Sequence, residues 1–437
     1  MIAGVTLGRS ALFGLLVCAL VGCRGAVEWS AASTNPTLGP TATALGSLLP
    51  SSTPLPSAPV GLGLQWIDGG SFGDGDAVEF ANAVVRGSSV FVAVGTHFKH
   101  ALDPSGPLPP HDGRVWVSPD GRSWTAVTLP DIFADAALDH VFTTAEGSFI
   151  AIGGISIPGG TDDGGGLEPL AAWESADGLT WQRVDIGLPS NVTMQSVAQG
   201  AGGHLAVLRP QLRGAEGAPQ LWLSTDGISW EQVYVVTADE RAVVDIGAGD
   251  EGFVAVGYRT RGDIAETFVI ASADGRHWIE SSSAPVNARH VAPLGSDWIA
   301  IATGEISPGD TETPVWFSAN GIDWSEIGNL PLNAAEPDQL SCGESVAGLT
   351  SAAGWLIVST VLSYPCSEGG VVGYGTQRIS VDGAATEPLP FARFSYSPST
   401  QVREDGSIVL AATRADGGLV LVGQSNGQAT FWIGEAP

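Results

Sequence analysis

Five residues able to ligate a metal, His97, His100, Asp103, His111 and Asp112, fall within one short stretch of this 437-residue sequence. Imidazole and carboxylate together suit zinc or a related divalent ion. His97 and His100 stand three apart, which fixes no geometry in an irregular loop, and no cysteine joins them. The segment HFKHALDPSGPLPPHDGR reads as such a loop from its prolines and glycines, so its histidines are expected to be solvated rather than ligating. TDDGGG at 161–166 offers Asp162 and Asp163 to calcium, without the repeated ligand pattern of a calcium loop. Two carboxylates facing a cleft could cleave a glycoside, but with 46 acidic residues no pair stands out. The glycine runs lack the lysine and following helix that cradle phosphate, and no dinucleotide fingerprint or nucleophile elbow occurs. The expectation is no resident metal or cofactor, with calcium the one ion left open.

What must position any of these groups is a repeat. The phrases SPDGRSW, SADGLTW, STDGISW, SADGRHW and SANGIDW recur along the chain. A catalytic site is built once, so fivefold repetition points to architecture. Upstream of each phrase lies a short apolar run, and the chain holds seven such runs: FVAVG at Phe91, FIAIG at Phe149, LAVL at Leu205, FVAVG at Phe253, WIAIA at Trp298, WLIVS at Trp355 and LVLVG at Leu419. These runs are dense in β-branched and aromatic residues and too short for helices. One strand precedes each run; a third strand, a tight Asp-Gly turn and a fourth strand opening on tryptophan follow. Four antiparallel strands per unit of about 46 to 60 residues describe a β-propeller blade. A sixth copy, RISVDGAATEPL, keeps Ser380, Asp382 and Gly383 but has Thr386 in place of tryptophan. The last unit stops after three strands, and LGLQWIDGG around Trp66 supplies the missing one. The expected fold is all-β: a seven-bladed propeller of four-stranded antiparallel blades, the last closed by the N-terminal strand, which removes exposed sheet edges.

The repeated phrase resembles the Asp-box of the bacterial neuraminidase (BNR) repeat. Its positions are Ser118, Asp120, Gly121 and Trp124; Ser175, Asp177, Gly178 and Trp181; Ser224, Asp226, Gly227 and Trp230; Ser272, Asp274, Gly275 and Trp278; and Ser318, Asn320, Gly321 and Trp324. Every copy is one residue shorter than the family pattern, with glycine directly after the Asp or Asn. The resemblance implies a structural turn between third and fourth strands, on the face away from a family active site. It also implies what a sialidase would need: arginines for a substrate carboxylate, a tyrosine nucleophile with its glutamate, and an acid. Arg209, Arg213, Arg259, Arg261 and Arg393, with Tyr258 and Tyr396, are the available ligand-binding candidates. The family's Arg-Ile-Pro signature is absent, and arginines balancing an acidic surface are the simpler account.

The N-terminus reads as an address. Arg9 precedes the run ALFGLLVCALVG, too short to span a bilayer and of signal-peptide length. LVGC at 20–23 resembles the lipobox of bacterial lipoproteins, which implies cleavage before Cys23 and its lipidation. Several acyl chains give a stable anchor where one would not. Residues 23–60, rich in Ser, Thr, Pro and Ala, read as a disordered tether after a signal at 1–22, leaving 61–437 as the propeller. With Cys18 in the signal, Cys342 and Cys366 remain; they flank a hairpin symmetrically about Gly354 and are expected to form a disulfide in an exported protein.

A formal net charge of −28 argues against nucleic acid and against electrostatic docking on anionic lipid. The sequence thus supports a monomeric, membrane-anchored, extracytoplasmic propeller that binds a protein or glycan through its loop face. A sialidase-like or other glycoside hydrolase on that face is the alternative.

Overall fold

The computed structural model describes residues 65–73, 78–99, 110–128, 131–156, 169–189, 191–212, 215–216, 218–235, 241–261, 264–302, 312–331, 344–352, 355–363, 371–379, 386–388, 407–415, 418–425 and 428–435. Among them the regular elements are all strands, arranged in seven sheets. After β1 (Gln65–Phe72), blade 1 is β2 (Val78–Arg86), β3 (Phe91–Phe98), β4 (His111–Ser118) and β5 (Thr125–Ala126). Blade 2 is β6 (Ala136–Thr143), β7 (Phe149–Ile155), β8 (Leu170–Ser175) and β9 (Gln182–Val184). In blade 3, β10 (Val192–Gly200) and β11 (Gly203–Leu212) are followed by the short β12 (Ala215–Glu216), which folds back on β11. The sheet is completed by β13 (Gln220–Ser224) and β14 (Glu231–Val235). Blade 4 is β15 (Arg241–Gly249), β16 (Gly252–Arg261), β17 (Ile264–Ser272) and β18 (Ile279–Glu280). Blade 5 is β19 (Ala288–Leu294), β20 (Asp297–Ala302), β21 (Glu312–Ser318) and β22 (Ser325–Pro331). Blade 6 is β23 (Glu344–Ala352), β24 (Trp355–Ser363), β25 (Val371–Ile379) and β26 (Thr386–Pro388). Blade 7 takes β27 (Ser407–Ala415), β28 (Gly418–Ser425) and β29 (Gln428–Glu435) from the end of the chain and β1 from its start.

The first strand of every blade packs against the first strand of the next, from β2 through β27 and back to β2. That closed cycle is a seven-bladed β-propeller with these strands lining the axis. Closure is made by β1, which runs antiparallel to β29 from Gln65 opposite Glu435 to Phe72 opposite Ala429. The core lies in the seams rather than within blades. Val92, Val94 and Val115 of blade 1 meet Leu138, Phe149 and Trp173 of blade 2, and equivalent clusters fill five further seams. A second strand is therefore covered on both sides, which is why FVAVGTHF of β3 is buried along its whole length.

The Ser-Asp-Gly-Trp phrases form the turns between third and fourth strands. In the first, Gly121 N–H donates to Ser118 Oγ at 2.8 Å, while Arg122 and Ser123 amides donate to Asp120 Oδ1 at 2.8 and 2.9 Å. Trp124 Nε1 closes the turn on the Gly121 carbonyl at 3.0 Å. The copies at Ser175–Trp181 and Ser318–Trp324 repeat the acidic or amide cap and the indole bond. Each turn leans on the preceding blade. Trp124 stacks on Phe431 of blade 7 at 4.4 Å, and Trp278 meets Tyr234 of blade 3 edge-on. The glycine serves both demands: Gly178 has φ +75°, and a Cβ there would sit 2.7 Å from Val92 of blade 1. The sixth copy, at 380–386, lies largely outside the described residues.

Two expectations need correction. The sequence places His97 and His111 in a long solvated loop, but β3 runs through Phe98 and β4 starts at His111, so both sit in strands at 8% and 4% exposure. The binding candidates expected on the loop face are likewise found in strands: Arg209 lies in β11 and Tyr258, Arg259 and Arg261 lie in β16. The reason is cross-strand pairing: Arg259 stands opposite Glu266, so polar residues continue the ladder where composition suggests a break.

Candidate functional site

Within a blade, the turns from first to second strand and from third to fourth leave one rim of the ring; the remaining connections leave the other. On the Asp-Gly rim the first-to-second turns are tight, as between β10 and β11 or β15 and β16. The strand ends on the opposite rim are those joined by the longer stretches of sequence, 99–110, 156–169, 303–311, 332–343 and 389–406. Strand ends there hold a polar cluster that belongs mainly to blade 1.

Three strands deliver that cluster. In the ladder, Glu79 of β2 stands opposite His97 of β3, and His97 opposite Asp112 of β4. Even-numbered residues of β4 face the closing blade, as Trp116 does against Phe431, and odd-numbered ones face blade 2. Glu79 is 6% exposed, and its Oε1 lies 2.7 Å from His97 Nδ1 and 3.5 Å from Arg114 Nε. A buried carboxylate is thereby matched by an oriented imidazole and a guanidinium, which offsets its desolvation. The other ring nitrogen of His97 has no hydrogen-bond partner among the described residues. Nearer the rim, Lys99 Nζ sits 3.0 Å from Asp112 Oδ2, and the Asp135 amide donates to Asp112 Oδ1 at 3.3 Å. Partial burial opposes ionisation of Asp112, but the Lys99 bond, the Asp135 amide and the charges of Lys99 and Arg114 hold its carboxyl below the usual range. On the blade 2 side, His111 Nε2 lies 3.1 Å from Ser156 Oγ. Phe80 and Phe98 pack edge to face beneath this group.

The arginine and tyrosine candidates do not assemble into a shared pocket among the described residues. Arg259 is committed to two carboxylates, Glu266 at 3.3 Å and Glu280 at 2.6 Å. Tyr258 is covered by the Arg289 guanidinium of the next blade, 4.9 Å from its ring centre. Arg209 runs along β11, where its carbonyl accepts a bond from Thr193. The side chain of Arg261, together with Cys23, Asp162, Asp163, Arg213, Cys342, Cys366, Arg393, Tyr396, His100 and Asp103, lies outside the described residues. Among those described, no three His, Cys, Asp or Glu side chains converge as metal ligands. Sequence reasoning missed Glu79, Arg114, Ser156 and Arg289. Glu79 left a signal, a single acid within the apolar strand VEFANAVV; Ser156 and Arg289 left none.

No protein-family model matches the chain, and no curated protein matches it by sequence. Solved structures similar to it include the β-propeller domain of the trilobed protease from Pyrococcus furiosus, described as having an open velcro topology. That pair is 8% identical over 82% of this chain and 94% of that one, with a TM-score of 0.46. The GH74 xyloglucanase from Xanthomonas campestris is 16% identical over 83% of this chain and 52% of its own, with a TM-score of 0.45. The WD40 propeller domain of Doa1 is 11% identical over 84% and 96%, with a TM-score of 0.40. At these identities the likeness concerns the fold alone.

Proposed function

We propose that this chain is an exported Asp-box propeller, held on the outer face of a bacterial membrane by a lipid on Cys23. Residues 23–60 act as its tether, and its loop rim binds a protein or glycan partner without cleaving glycosidic bonds. The observation that carries the reading is the segregation of connections. Tight turns join the strand ends of one rim, while the ends joined by the longer stretches of sequence and the Glu79–His97–Asp112 group occupy the other. Loops on a rigid scaffold are where recognition is ordinarily built. The pairing of Arg259 with Glu266 and Glu280 supports binding over sialidase chemistry, because a substrate carboxylate would compete with two resident ones.

The test applies the mature chain to a glycan array and, in parallel, to a panel of fluorogenic glycosides. Retention of a glycan class with no glycoside turnover is expected. Turnover abolished by one loop-rim substitution, such as Glu79→Gln, would install the hydrolase in its place. Cys23→Ala is expected to release the protein from the membrane fraction, and continued retention would refute the anchor.

A further inference from the structure

The same rim brings a serine and a histidine from different blades to nucleophile–base distance. His111 opens β4, Ser156 follows β7, and Oγ to Nε2 is 3.1 Å. The imidazole is 4% exposed and packed against the Phe98 ring, with centroids 5.4 Å apart, so its orientation is fixed. Ser156 is pinned through its backbone, whose amide donates to the Asp135 carbonyl at 2.8 Å, while its side chain stays half-exposed. A half-exposed serine beside a buried, oriented imidazole is an arrangement suited to nucleophilic catalysis, since a serine is inert until a neighbouring base can take its proton. The pair stands where the connections 99–110 and 156–169 leave the ring, beside the Lys99–Asp112 ion pair.

We propose that Ser156 and His111 form a nucleophile–base pair acting on carboxylic esters, an activity additional to partner binding and independent of it. With the histidine proton on Nδ1, Ser156 Oγ–H donates to Nε2. Oγ attacks the acyl carbon as Nε2 takes its proton; the bond to the alcohol oxygen breaks, and the imidazolium returns that proton to the departing alkoxide. Water, deprotonated by the same nitrogen, then cleaves the acyl-serine to release the acid and restore both residues. Electrons and protons balance with water as the only co-reactant.

The experiment treats the full chain with a fluorophosphonate probe, maps the modified residue by peptide mass spectrometry, and follows p-nitrophenyl acetate hydrolysis alongside. Labelling of Ser156 is expected, together with hydrolysis lost in Ser156→Ala. His111→Gln keeps a side chain able to bond Ser156 across the blades but carries no base. Both rates should fall roughly 100-fold in it, a typical yield of general-base catalysis, at an unchanged melting temperature. A folded wild-type protein whose Ser156 stays unlabelled, or His111→Gln labelling at the wild-type rate, would reduce the pair to an inter-blade tie.

Discussion

At Asp226 one carboxylate oxygen accepts the amides of Ile228 and Ser229 at 2.8 and 2.7 Å, and those bonds push its pKa down to about 2. Asp274 is lowered by the same kind of bonds, first from the His277 amide, and Asp120 and Asp177 likewise. Asn320 performs the same capping without a charge, its Oδ1 accepting Ile322 and Asp323 at 2.9 Å. The acceptor oxygen matters at neutral pH, and the charge matters only in acid. Asp226→Ala should cost on the order of 1–3 kcal/mol in urea unfolding at pH 7, and Asp226→Asn much less. Because the folded pKa lies below the unfolded one of about 3.9, the charge contributes fully above pH ~4 and its contribution disappears as the pH falls towards 2. Asp226→Asn should flatten the stability profile across that window. Equal slopes in wild type and variant would show that the carboxylate is not what the turn holds in its charged form.

At the scale of elements, two devices make a ring from seven sheets. One is β1, the strand that closes blade 7. Removing residues 1–73 would expose the β29 edge and uncover Phe431, which packs edge-on against Phe72. The truncated chain should melt well below the full-length protein and aggregate on heating, and a peptide spanning 65–73 should restore the transition. An unchanged melting temperature would mean that closure contributes nothing to stability. The other device is a register shift in every axial strand, for example between Ala81 and Ala83, Leu138 and His140, and Val243 and Asp245. A bulge turns a residue out of the ladder, and here a residue at or just after the bulge reaches the next blade. Asn82 donates to the Leu138 carbonyl at 2.9 Å, and Asp245 accepts the Val291 amide at 3.1 Å. His140 spans its junction to the Met194 carbonyl at 3.3 Å, with burial pushing its pKa down to about 4. The strands themselves were legible from FVAVG-type runs. These bulges were not, because a shift of one residue depends on a partner strand that the local sequence does not name.

Across the whole molecule, a net charge of −28 sets the carboxylates against one another in the compact state. Screening should relieve this, so raising sodium chloride from about 10 to 150 mM, which brings the Debye length to about 8 Å, should raise the melting temperature. A fall on adding salt would show that attractive pairs such as Lys99–Asp112 and Arg259–Glu280 outweigh the repulsion. The sequence by itself determined the blade count, the turn chemistry and the closing strand, because each rests on short-range periodicity repeated along the chain. It also marked Asp112 and His111 as polar, but not where they would face. Strand pairing within blades 1 and 4 decided that Glu79 would meet His97 and that Arg259 would meet Glu266 and Glu280. Packing of blade against blade brought Ser156 of one to His111 of the other. Such contacts join residues of different strands and blades, and the geometry that unites them exists only once those strands have paired and those sheets have packed.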